Sequence, residues 1–208
     1  MKVSGLILAG GRASRMGGGD KCLITIGGRT ILAHLVERLV PQVETLAISA
    51  NGDPARFEAF GLPVLPDAGS GGAAPARCEG PLAGIVAGLA WAEACGQDAL
   101  LAVSGDTPFI PRTLAKSLAA AMSTAPARCA VARFGGEPYP LAALWATSLR
   151  SDVEKRFRAG ERAVRIVQQS LGAAHADFEG AYDPFLGANT PADVEALKTL
   201  WENGAVRD

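Results

Sequence analysis

The sequence has little of what covalent catalysis or a metal cage needs. Only two of its 208 residues are histidines, His34 and His175. His34 falls in a helical pattern and His175 in a strand-like one, so neither is expected to be catalytic. No G-x-S-x-G elbow is present, and no Cys-His pair lies in a supporting motif, so no covalent intermediate is implied. The four cysteines, Cys22, Cys78, Cys95 and Cys129, are widely spaced with no C-x-x-C pair. That excludes the common zinc patterns and a disulfide framework, and it predicts reduced, mostly buried thiols in a cytoplasmic protein. No apolar run approaches the ~18 residues of a membrane span. The start, Met1 to Ser4, lacks the long apolar region of a signal peptide. Formal net charge is −1, so no global basic field recruits nucleic acid. An anionic ligand must be held by local charge.

What is present is apolar and alternating. Hydrophobic residues make up 49% of the chain, enough for a full core in one domain spanning residues 1–208. Val3 to Leu8 and Ala99 to Val103 are continuous apolar runs, read as buried strands, the second at the sheet centre. Leu46 to Ser49, Cys129 to Phe134 and Leu141 to Trp145 read as further strands, and Val64-Leu65 between two prolines as a short edge strand. Helices are expected over Thr30 to Val40 with Thr30 as N-cap, Leu82 to Ala94, Pro111 to Met122, Ser148 to Arg158, Val164 to Leu171 and Pro191 to Trp201. The tail from Asn203 to Asp208 is expected to fray. Such alternation predicts an α/β fold, a doubly wound, mostly parallel sheet of Rossmann-like type with helices on both faces. Ligands then bind beyond the carboxyl ends of the strands.

The informative residues sit at those ends. Residues 8–21 follow the first apolar run and hold Gly10, Gly11, Gly17, Gly18 and Gly19 with Arg12, Arg15 and Lys21. Glycines let backbone N–H groups crowd an anion, and the cations match phosphate oxygens. A P-loop requires G-x-x-x-x-G-K-(S/T), but Lys21 follows Asp20 and precedes Cys22. A dinucleotide fingerprint requires G-x-G-x-x-G, but after Gly17 and Gly19 the last position is Cys22. Asn51 and Asp67 follow the second and third strands. In Ser104-Gly105-Asp106-Thr107-Pro108, Asp106 tips the buried strand, where a carboxylate either caps the next turn or holds magnesium with substrate phosphates. In Glu79-Gly80-Pro81-Leu82-Ala83-Gly84, a helix N-terminus opens among glycines and offers its N–H groups to an anion or a base edge. Near the end, Thr190 caps a helix with Pro191 at its first position, just after Asn189. The stretch Ala68 to Glu79 is a flexible loop, either a neutral insertion or a lid.

Together these segments resemble the nucleotidyltransferase signature L-A-(G/A)-G-x-x-S-x-R-M-G-x-x-K, and the Gly10-Gly11 form is similar to that of the molybdenum cofactor guanylyltransferases. Ser104 to Pro111 resembles that family's C-D-x-P-F-x-P segment, with Ser104-Gly105 before the acid, a point shared with cytidylyl-transferring relatives. Gly80 to Gly84 matches G-P-L-A-G throughout. Phe185 to Asp193 resembles F-x-N-x-N-T-P-E-D, with Gly187 in place of the first asparagine and Asn189 in place of the second. Tyr139 stands where the family has histidine before proline, and Ala159 to Val164 is similar to A-G-E-R-R-V.

The resemblance implies transfer of GMP from GTP to the phosphate of molybdenum-bound molybdopterin, with pyrophosphate leaving and magnesium as cofactor. It implies catalytic roles for Arg15, Lys21 and Asp106, with Asp106 as metal ligand. Nucleotide contacts are implied at Leu8, Ala9, Gly10, Gly11, Lys21, Asn51, Asp67, Gly80, Leu82, Gly84 and Asp106. Asp67 would meet either base or ribose. Arg162, Arg165 and Asn189 could meet the pterin side, although Arg162 equally starts a solvated helix. Transient contact with molybdenum-insertion proteins or apo-molybdoenzymes is also implied. A related enzyme acting with CTP or on a sugar phosphate, and a non-catalytic cofactor carrier, remain alternatives.

Overall fold

A computed structural model describes residues 1–10, 20–69 and 80–206. The strands are β1 (Val3–Leu8), β2 (Thr25–Ile26), β3 (Arg29–Thr30), β4 (Thr45–Ser49), β5 (Val64–Leu65), β6 (Ala99–Ser104), β7 (Cys129–Phe134), β8 (Glu137–Ala146) and β9 (Ala174–Phe178). The helices are α1 (Ile31–Leu39), α2 (Pro81–Ala94), α3 (Leu114–Thr124), α4 (Arg150–Arg158), α5 (Val164–Ser170) and α6 (Pro191–Glu202). Seven strands form one sheet in the order β5-β4-β1-β6-β8-β7-β9, and β2 and β3 form a separate hairpin. Pairing is parallel for β5-β4, β4-β1, β1-β6 and β7-β9, and antiparallel on both sides of β8. The expected mostly parallel, doubly wound sheet is what the chain adopts.

The central strands are apolar on both faces because helices cover both. Ile7, Leu101 and Val103 pack under α1, α3 and α6, while Leu6, Leu100 and Ala102 pack under α2, α4 and α5. Each buried leucine, isoleucine or valine among these stabilises by roughly 1.5–3 kcal/mol. Thr30 caps α1 as expected, accepting from Ala33 N at 3.1 Å, a contact worth ~1 kcal/mol. Val64-Leu65 is an edge strand, as its flanking prolines require.

Three expectations need correction. The third helix begins at Leu114, not at Pro111, after a turn in which Leu114 N bonds Pro111 O. The strand read as Leu141 to Trp145 begins at Glu137, because Gly135 and Gly136 both take positive φ (58° and 85°) and turn β7 directly into β8. Two prolines in β8 disguise this extension; Pro138 pairs with Arg133, and the ladder shifts register between Val131 and Ala132, opposite the stretch that holds Pro140. The tail does not fray at Asn203: Val206 is buried and its carbonyl accepts from Arg38 Nη2.

His34 is structural. Its Nε2 donates to Ile26 O at 2.9 Å, and its ring lies edge-on to Trp201 and Phe109. Burial holds its pKa below the ordinary 6.5. The unfolded chain therefore binds a proton at higher pH than the folded one, and stability falls as pH drops below about 6.5. Between pH 7 and pH 5 the melting temperature of the wild type should fall further than that of His34→Gln, measured by thermal melts. Parallel curves would contradict the assignment.

Candidate active site

At the carboxyl end of β6 the chain makes a tight turn through Gly105 to Asp106. Gly105 N donates to Leu8 O at 3.0 Å, tying the ends of β1 and β6 together. A Cβ on Gly105 would sit 2.9 Å from Leu8 O and 3.1 Å from Ala9 Cα, both backbone atoms that have no rotamer to move aside. Glycine is thus needed for close approach, and the residue has a packing reason independent of any family pattern. Gly105→Ala should cost about 1–3 kcal/mol of stability by overpacking and lower turnover by about tenfold through displacement of Asp106. Urea unfolding and steady-state rates check this; wild-type values in both would contradict it.

Asp106 has defined neighbours. Its Oδ1 accepts from Ser104 Oγ at 2.6 Å, and its Oδ2 lies 3.7 Å from Lys21 Nζ. Lys21 Nζ also donates to Asn189 Oδ1 at 2.6 Å. Three residues 168 positions apart at the extremes therefore meet at one point. Each is fixed by local structure. Lys21 opens a short 3-10 turn anchored by buried Cys22, while Asp20 before it pairs with Arg56 Nε at 2.6 Å. Asn189 is presented by the capping box of α6, in which Asp193 Oδ2 accepts from the N–H of both Asn189 and Thr190. Ala188 N donates to Asp106 O at 2.9 Å, which ties the Asn189 loop to the Asp106 turn. Gly187 belongs to the same fit: a Cβ there would press on Asp106 Oδ1 and Asn189 Nδ2, both at 3.1 Å.

Two cavities flank this cluster and share Ser104 and Leu141 as walls. The smaller, about 210 Å³, is lined by Leu8, Gly10, Ser49, Asp67, Gly80 and Gly84. Ser49 Oγ donates to Asp67 Oδ1 at 3.1 Å, and Asn51 Nδ2 donates to Asp67 Oδ2 at 2.7 Å. Asn51 Oδ1 accepts in turn from Asp67 N at 3.1 Å. Asn51 thus orients Asp67 and does not itself line the cavity. Gly80 caps α2 with φ 78° and ψ 177°, a conformation that only glycine enters cheaply. Gly84 lets α2 lie close on the sheet, since a Cβ there would meet Ser49 Oγ at 2.5 Å. Leu82 is fully buried under the sheet, and Ala9 is buried with its N–H on Ser49 O, so neither side chain faces the cavity.

The larger cavity, about 390 Å³, has Asp106, Asn189, Tyr139, Asp183, Phe185 and Leu186 among its walls. Gly11, Arg15 and the other residues of the glycine loop lie outside the described residues, as does the loop after Gly69 up to Glu79. Arg162 is not brought to the cluster. Its guanidinium donates to Phe157 O at 2.7 Å and lies over the Phe157 ring, and it lines neither cavity. Sequence reading missed Arg56, Ser49 and Asp183, which belong to no motif and each have a partner distant in sequence, and it gave Ser104 no contact of its own with Asp106. Burial raises the Cys22 thiol to about 12, with Asp20 adding to the effect, so it is no nucleophile despite its position beside Lys21.

The donor set around Asp106 suits a hard cation. Among the described residues no three His, Cys, Asp or Glu side chains converge to hold a metal. Magnesium needs no such cage, because it binds through one or two carboxylates and completes its shell with water and substrate phosphates. Asp106, which lines the larger cavity, fits that requirement. Also among the described residues, no helix is long and apolar enough to cross a membrane.

Comparison with known proteins agrees with this geometry. The model of the MobA-like NTP transferase domain matches residues 5–176. The molybdenum cofactor guanylyltransferase of Cereibacter sphaeroides is 45% identical over 205 residues, which cover 99% of this chain and 100% of that one. That of Mesorhizobium japonicum is 42% identical and covers 97% of each. The solved structure of molybdopterin-guanine dinucleotide biosynthesis protein A from Archaeoglobus fulgidus superposes with a TM-score of 0.75 over 96% of this chain and 99% of that one, at 19% identity, and so has the same fold. A lysine, a strand-tip aspartate and an asparagine just before a helix cap meeting beside the larger cavity, in a chain this similar over its whole length, place it in the molybdenum cofactor guanylyltransferase family.

Proposed function

We infer that residues 1–208 act as one domain that transfers GMP from GTP to the phosphate of molybdenum-bound molybdopterin, releasing pyrophosphate and forming the guanine dinucleotide. The observation that carries this reading is Asp106, paired with Lys21, on the wall of the larger cavity, two residues from Ser104, which that cavity shares with the smaller one. A transferase joining two phosphates needs such a place, with one substrate on each side.

The nucleotide would occupy the smaller cavity. There Asp67, oriented by Ser49 and Asn51, would accept from guanine N–H groups or from ribose hydroxyls. Leu8, Gly10 and the N-terminus of α2 at Gly80 would line the rest, and Gly11 and Arg15 would be further contacts on the strength of their motif alone. Lys21 would leave its present partners for the triphosphate and neutralise charge as pyrophosphate departs. Asp106 would hold magnesium, which when bound supplies positive charge at the α-phosphate. The acceptor is already a phosphate, so no strong general base is required, in keeping with the two histidines lying outside the cluster. Asn189 would face the acceptor from the larger cavity. Cys22 and Cys129 are buried and no disulfide joins the described cysteines, which suits the cytoplasm, and a cofactor product would be handed over to molybdenum-insertion proteins or apo-molybdoenzymes. Incubation with α-labelled GTP, magnesium and molybdenum-loaded molybdopterin tests the reading. Label appearing on the pterin product is expected; labelled GMP alone would contradict transfer.

A further inference from the structure

Besides Asp106 and Asp193, which is used by the α6 capping box, the larger cavity contains a carboxylate that the transfer chemistry does not use, Asp183. Asp183 Oδ2 accepts from Tyr139 Oη at 2.5 Å, and its Oδ1 accepts from Phe185 N at 2.8 Å. Both donors come from rigid surroundings. Tyr139 sits on β8 with its ring 4.8 Å from that of Phe185, which in turn meets Phe178 edge-on at 5.4 Å. Burial, then the Asp183 hydrogen bond, push the Tyr139 phenol up to about 12, so the phenol keeps its proton and remains the donor. An ionised carboxylate offers about four lone-pair sites, two on each oxygen. One site on each oxygen is occupied here. The other on each oxygen makes a matched pair of acceptors on a side chain that lines the cavity.

Two parallel acceptors on a fixed carboxylate complement two parallel N–H donors. The geometry points to Asp183, held by Tyr139, as the specificity-determining residue that reads the amino-pyrimidinone edge of the acceptor's pterin ring. That edge presents a ring N–H and an exocyclic amino N–H side by side, one for each oxygen of Asp183. Leu141 and Leu186 supply apolar walls for the flat ring, and the acceptor phosphate is left to the Asp106 and Asn189 side of the same cavity. Tyr139 is a positioning residue: its hydroxyl acts on substrate only through Asp183. The inference rests on the guanylyltransferase reading for the identity of the acceptor.

The probes are 6-hydroxymethylpterin phosphate and the matching lumazine phosphate, which carries a carbonyl where the pterin has its amino group. Both rings fluoresce, so each is titrated directly with the full-length protein. Wild type should bind the pterin at least about tenfold more tightly, because the lumazine carbonyl turns an acceptor toward the carboxylate. Asp183→Asn should reduce that preference to less than about threefold, with magnesium-GTP binding unchanged. Equal binding of the two ligands by wild type, or no binding of either, would overturn the assignment without reference to any variant. So would a preference that survives Asp183→Asn. Pyrophosphate release from GTP with molybdenum-loaded molybdopterin is measured on the same wild-type preparation. Release without a pterin preference removes the role of Asp183 alone; no release removes the guanylyltransferase reading, while the ligand ratio still reports on Asp183.

Discussion

Lys21→Ala is expected to lose turnover by about two to three powers of ten, the effect of removing one preorganised charge-stabilising donor, roughly 2.7–4 kcal/mol. In the resting protein Lys21 Nζ sits between Asn189 Oδ1 and Asp106 Oδ2. Both contacts involve partly exposed side chains, and such pairs contribute ~0–1 kcal/mol to stability. The backbone around Lys21 has its own anchors in the buried Cys22 and the Asp20–Arg56 ion pair. The melting temperature should therefore barely move while the rate collapses. Lys21→Arg keeps the charge but spreads it over a planar fork, so it should restore only part of the rate. Near-normal turnover in Lys21→Ala would remove Lys21 from the mechanism.

Asp106→Asn should abolish the dependence of GTP binding on magnesium. The substitution keeps size and an oxygen within reach of Ser104 Oγ, so the turn through Gly105 has no reason to rearrange. What it removes is the negative charge that a hard dication requires. Calorimetric titration with GTP, with and without magnesium, should give two different affinities for wild type and one weak affinity for the variant. Unchanged metal dependence would move the metal site away from Asp106.

Much of this was legible in the sequence, for identifiable reasons. Continuous apolar runs at Val3 to Leu8 and Ala99 to Val103 marked strands buried on both faces, and those two strands are neighbours at the sheet centre. Thr30 and Thr190 announced their helices because a capping hydroxyl has a local signature. Lys21, Asp106 and Asn189 each stood in a motif, and the structure brings all three together. β8 was harder: Pro138 and Pro140 argue locally against a strand, and the pairing with β7 overrides them. The short helical turns at Lys21–Leu23 and Pro54–Phe60 have no amphipathic period to detect. Arg56, which ties the Asp20 end of the glycine loop to Asn51 O, and Asp183, which meets Tyr139 across 44 residues, depend on contacts that no spacing rule encodes. Arg162 is a different case. Its motif suggested an anion contact, but the end of α4 supplies a nearer carbonyl and an aromatic face.

The most direct test of the central claim is pyrophosphate release from GTP, CTP, ATP and UTP in turn, each with magnesium and molybdenum-loaded molybdopterin. Release with GTP alone is the predicted result, since the smaller cavity is assigned to guanosine and the larger to the pterin. Release with CTP would keep the Lys21–Asp106 centre and overturn the guanine assignment. Silence with all four nucleotides, from protein shown to be folded, would contradict transfer itself.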